Sequence, residues 1–170
     1  SGKTVLMSTL LYELGKYNLD LDENLDIHLL VNHNEHVSIY SQIASKLGIA
    51  NKKNKIVQKP TSFINNNSSD EKVDVVIVDE AHLLLTQGKQ SYQGKNHLDD
   101  LLARAKVVVI VFDIKQVLTT EQIWEIDKLN EYFDKAKSNS NHVTLRNQMR
   151  INSDISTVNW IRNLVDYQDR

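Results

Sequence analysis

A chain of 170 residues, 41% of them hydrophobic, is long enough to bury one core and too short for two ordinary domains. The formal charge of −2 and an isoelectric point near 6.3 supply no global attraction to nucleic acid, so such a partner must be argued from local surfaces. With no cysteine and no apolar run of about 18 residues, the composition excludes a disulfide scaffold, a thiolate metal site and a spanning helix; the expected compartment is the cytoplasm, with no membrane partner.

In chain order, Ser1-Gly2-Lys3-Thr4 matches the second half of the phosphate loop G-x-x-x-x-G-K-[ST], with the loop's first glycines and its feeding strand expected upstream of Ser1. Apolar Val5, Leu6, Leu10, Leu11 and Leu14 then recur at helical spacing, with Gly15 as a stop signal. Residues 27–31 predict a buried strand, and a helix follows from about Glu35 to Leu47, ended by Gly48. Lys55 to Gln58 is a short strand candidate, and Asn65 to Asp70 a polar loop. The nearly continuous β-branched run Val73 to Val78 predicts a strand covered on both faces, delivering Asp79-Glu80 to its carboxyl end. Thr86 to Asn96 is a loose, mobile stretch before a short helix around His97 to Ala105.

Val107 to Phe112 predicts another strand, ending in Asp113, and a helix capped by Thr119 or Thr120 runs to about Lys137. His142 to Leu145 is a brief strand candidate. Ser153 to Val165 predicts a helix with Ile155, Val158, Ile161 and Val165 inward. Strands alternating with helices imply a three-layer α/β/α sandwich with a mostly parallel sheet, lacking its first strand, and ligands in such sheets sit beyond the carboxyl ends of the strands. Residues 1–170 are read as one domain.

The chemistry-bearing residues fall at those ends. Hydrolysis of a nucleoside triphosphate needs a phosphate clamp, a metal, a polarised water and positive charge near the leaving group. Ser1, Gly2, Lys3 and Thr4 are the phosphate-binding candidates, with Lys3 clamping the outer phosphates of ATP and the Thr4 hydroxyl taking a Mg²⁺ position. Asp79 is the second metal residue, directly or through water, and Glu80 the candidate general base. Asp113 and Gln116 end the next strand where a carboxylate and an amide can sense the γ-phosphate or its attacking water. In Leu145-Arg146-Asn147-Gln148-Met149-Arg150 a guanidinium suits the charge developing on the transferring phosphate, and Arg150 is chosen over Arg146.

The order GKT, VDVVIVDEAH, VVVIVFDIKQ and LRNQMR resembles superfamily 1 helicase motifs, most closely the Schlafen group 3-like DNA/RNA helicase domain, over essentially the whole chain. The resemblance implies a RecA-like P-loop fold and Mg²⁺-dependent ATP hydrolysis. It implies that Lys3 and Thr4 bind ATP-Mg²⁺, that Asp79 and Glu80 serve metal and water, and that Gln116 and Arg150 address the γ-phosphate. His82, with Asp113, would couple that site to the rest of the machine. DNA or RNA is the implied partner, reached through parts partly outside this chain, and no second motor domain is visible in it. Asn152-Ser153 departs from the family pattern, where a Gly is common after the Arg. A nucleotide-gated switch without motor activity is the competing reading.

Other signals carry less. Lys46, Lys52, Lys53, Lys55 and Lys59 read as a solvated face, and His33 to His36 as a capped helix start without zinc spacing. Trp124 and Trp160 are expected to be packing anchors.

Overall fold

The computed structural model describes residues 2–21, 24–49, 55–87, 92, 94–113, 124–145 and 154–166. Its order of elements is α1 (Lys3–Leu21), β1 (Ile27–Leu30), α2 (Asn34–Lys46), β2 (Val57–Gln58), α3 (Pro60–Asn66), β3 (Val73–Val78), a 3₁₀ turn (Ala81–Leu83), α4 (His97–Arg104), β4 (Ala105–Ile110), α5 (Ile126–Ser138) and α6 (Ile155–Asp166). The four strands form one all-parallel sheet in the order β2-β1-β3-β4. β3, five of whose six residues are β-branched, is central, because such side chains pack well on both faces of a covered sheet.

Side chains alternate across the sheet, which divides the core in two. Val76 and Val78 face a cluster that takes Phe63 and Ile64 from α3, Leu98 and Leu101 from α4, and Leu129 from α5. Ile77 faces the other cluster, with Met7 and Leu11 from α1 and Tyr40 and Ala44 from α2. Helices therefore cover both faces, giving the three-layer α/β/α arrangement of RecA-like domains. Register fixes the site: Leu30 pairs with Val78 and Val78 with Ile110. The ladder continues one step, the Asp79 N–H donating to the Leu30 carbonyl at 3.1 Å and the Val111 N–H to the Val78 carbonyl at 3.0 Å. The carboxyl ends of three strands thus stand level.

Several expectations are corrected. Gly15 does not stop α1, which runs on to Leu21; a Cβ there would lie 2.3 Å from Ile49 Cγ2, so glycine serves a close approach between helix and chain. Val5 and Leu6 are exposed, while Met7 joins Leu11 in the buried stripe, with Leu10 and Leu14 packed against it. Residues 65–66 belong to α3, a helix hidden behind its polar end: Pro60 presets the first turn while Phe63 and Ile64 are buried. Tyr92, inside the stretch read as loose, is buried, and its phenol donates to Asp100 at 2.6 Å.

Helix α5 begins at Ile126 after Glu125, and the Thr119 or Thr120 cap lies outside the described residues. Residues 142–145 form no strand. Ile155 is exposed rather than inward; the Asp154 carboxylate accepts from the Ser156 and Thr157 N–H groups at the start of α6. Trp124 is buried as expected, whereas Trp160 is 65% exposed.

Candidate nucleotide site

The site is assembled where α1 begins and β3 and β4 end. The first helical hydrogen bond of α1 runs from the Leu6 N–H to the Gly2 carbonyl at 2.9 Å, so Lys3 and Thr4 lie in the first turn. Amides there lack intrahelical acceptors and the helix dipole is positive, which favours an anion. The Lys3 ammonium reaches across to β4 and donates to Asp113 Oδ2 at 2.6 Å. An ammonium has three donors, so this pair leaves capacity for a further acceptor.

At the end of β3 the chain turns sharply. Glu80 adopts φ 54° and ψ 48°, a left-handed conformation uncommon for a residue with a Cβ. The Ala81 N–H then donates to the Val111 carbonyl at 2.8 Å, tying this turn to the chain beyond β4. The two carboxylates meet different partners. Asp79 is 3% exposed; its Oδ1 accepts the Glu80 N–H at 3.0 Å and its Oδ2 the Tyr40 phenol at 2.9 Å. Glu80 is half-buried, with Oε2 standing 3.7 Å from His36 Nδ1.

His82 lies buried behind this group, its ring edge-to-face with Phe112 at 6.3 Å between centroids. Burial pushes its pKa below the ordinary 6.5; Glu80, Asp113 and Asp79 pull the other way and Lys3 adds to the fall. The net result is a neutral imidazole, and its buried Nδ1 has no hydrogen-bond partner among the described residues. Lys3, Asp79, Glu80, His82 and Asp113 are therefore one electrostatic group. Tyr40 joins it through Asp79, and Thr4 follows Lys3 in the first turn of α1. Ser1, Gln116 and Arg150 lie outside the described residues.

Sequence reasoning missed Tyr40 and Asn32, and read His36 only as part of a capped helix start. Tyr40 and His36 are four apart on α2 and so share one helix face. That spacing was a usable signal, although nothing local says the face meets Asp79-Glu80. Asn32, two past the end of β1, keeps a buried amide nitrogen without a partner among the described residues.

A divalent cation is tested by the donor set. Thr4 and Asp79 offer hard oxygen donors of the kind Mg²⁺ prefers. The buried Asp79 carboxylate has only neutral donors and no cationic side chain paired to it among the described residues, a costly arrangement that a cation relieves. Among the described residues no cluster of three or more His, Cys, Asp or Glu could hold a metal by itself. The residues present therefore fit an ion that takes its remaining ligands from phosphate and water, as Mg²⁺ does in phosphate-handling sites.

The sequence matches the family model described as "Schlafen group 3, DNA/RNA helicase domain" across residues 1–170. The chain belongs to this Schlafen group 3 helicase-domain family. It is also 33% identical over 176 aligned positions to a Saccharomyces cerevisiae protein printed as "Uncharacterized protein YPL245W", an alignment covering 95% of this chain and 38% of that relative. The chain thus spans well under half the length of that protein. The Schlafen-type helicase domain described here has, among its described residues, no helix long and apolar enough to cross a membrane.

Proposed function

We propose that this chain is the ATP-hydrolysing domain of a helicase-like motor that acts on DNA or RNA through the whole protein. The observation that carries the reading is the gathering of Lys3, Asp79, Glu80 and Asp113 at the level ends of β3 and β4 and the first turn of α1. Lys3 and the amides of the first turn hold the β- and γ-phosphates, while Ser1 and Gly2 complete the loop. Thr4 and Asp79 hold Mg²⁺, which supplies charge neutralisation on the transferring phosphoryl group when bound.

Glu80, partly open to solvent, accepts a proton from the attacking water. Gln116 orients that water and Arg150 stabilises charge on the γ-phosphate; both roles come from the motifs. His82 and Asp113 link the site to β4 and the aromatic residues beneath it. The family membership adds the nucleic-acid partner to this reading.

The test is steady-state ATP turnover by the full-length protein with and without single- and double-stranded DNA and RNA. The expected result is Mg²⁺-dependent turnover that rises with at least one of these, is abolished in Lys3→Ala, and is abolished in Glu80→Gln with nucleotide binding retained. Turnover indifferent to every nucleic acid refutes the motor and leaves a nucleotide switch. Turnover untouched by both substitutions refutes the site.

A further inference from the structure

The phosphate, metal and general-base residues leave one buried group at the site without a role. Tyr40 is 4% exposed in the middle of α2, an element that contributes no motif residue, yet its phenol O–H donates at 2.9 Å to Asp79 Oδ2 across 39 residues of sequence. One phenol on α2 therefore grips the carboxylate that the end of β3 presents. His36, one turn earlier on the same face, stands beside Glu80.

A carboxylate can rotate, and rotation changes which lone pair meets an ion. Here the Glu80 N–H fixes Oδ1 and the Tyr40 O–H fixes Oδ2. We propose that Tyr40 is a positioning residue for the divalent cation, locking the Asp79 carboxylate into one metal-ready arrangement. This rests on the nucleotide reading above. Donors that orient a ligating carboxylate are worth about 10–100-fold in metal affinity or activity.

The experiment is Mn²⁺ titration of the full-length protein with ADP present, free Mn²⁺ being read by electron paramagnetic resonance. Wild type, Tyr40→Phe, Asp79→Asn and the double variant are compared, with metal-free ADP binding measured in EDTA for each. Tyr40→Phe should weaken Mn²⁺ uptake about tenfold or more while changing metal-free ADP binding less than twofold. The double variant should bind Mn²⁺ no more weakly than Asp79→Asn, since Tyr40 acts through that carboxylate. Wild-type affinity in Tyr40→Phe overturns the inference and leaves the nucleotide site standing. So does an equal loss of metal-free binding, or a further loss in the double variant, because either marks a merely structural tyrosine. No Mn²⁺ uptake by wild type refutes the nucleotide reading itself, and the role of Tyr40 with it.

Discussion

Acid should unfold this protein through a histidine outside its motifs. His97 opens α4 and is 1% exposed. Its Nδ1 accepts the Leu85 N–H at 3.1 Å, which places the neutral ring's proton on Nε2, 3.2 Å from the Thr61 hydroxyl. The ring also packs on Tyr92 at 4.1 Å between centroids. Burial drives its pKa down from 6.5 to about 4, with Asp100 opposing weakly. The folded pKa is depressed, so the unfolded chain binds the proton first on acidification. The stabilisation is fully present above pH 6.5 and is lost as pH falls toward 4. At 1.36 kcal/mol per unit, the whole window is worth roughly 3 kcal/mol, with a limiting slope near 1.4 kcal/mol per pH unit. Urea denaturation followed by circular dichroism between pH 7.5 and 4 measures it. His97→Gln keeps a donor and an acceptor but cannot titrate, and should flatten the slope by about that amount. Parallel wild-type and variant curves across the window would refute the reasoning.

Gly15→Ala offers a helix-propensity gain of about 1 kcal/mol, yet the new methyl would meet the stiff, β-branched Ile49 at 2.3 Å. The clash should win, lowering stability by about 1–2 kcal/mol in the same denaturation assay. Glu80→Asn replaces a left-handed residue by one that tolerates the conformation, and should raise stability by about 0.5–1 kcal/mol while ending ATP turnover. A variant that is both active and no more stable would contradict the role and the strain together.

What the sequence discloses follows the range of the forces involved. β3 and β4 are legible because Val73 to Val78 and Val107 to Ile110 are dense in β-branched residues, and the helix ended at Gly48 because that glycine takes φ 72°. Helix α3 is not, since Asn65 and Asn66 look like a loop and only tertiary burial of Phe63 and Ile64 makes seven residues helical. The same division holds at the site. Lys3, Asp79, Glu80 and Asp113 announce themselves by standing next to a loop motif or a strand end. Tyr40 does not, because its meaning depends on a contact 39 residues away, and Gly15 reads as a stop until Ile49 is brought against it.

The charges that converge on His82 have a consequence for how nucleotide arrives. Among the described residues Lys3 pairs with Asp113, which leaves the carboxylates of Asp79 and Glu80 beside a neutral His82 as an excess of −2. A triphosphate is itself strongly anionic. At about 8 Å and an effective dielectric of about 20, each like-charge pair costs roughly 2 kcal/mol, which outweighs the 0.3–1 kcal/mol typical of a helix N-terminus. A divalent cation entering with the phosphates cancels the excess. Chelating Mg²⁺ should therefore weaken ATP binding tenfold or more in equilibrium dialysis, and added salt should partly restore the metal-free affinity by screening repulsion. Equal affinity with and without Mg²⁺, or a metal-free affinity that falls with salt, would mean that positive groups outside this cluster govern entry.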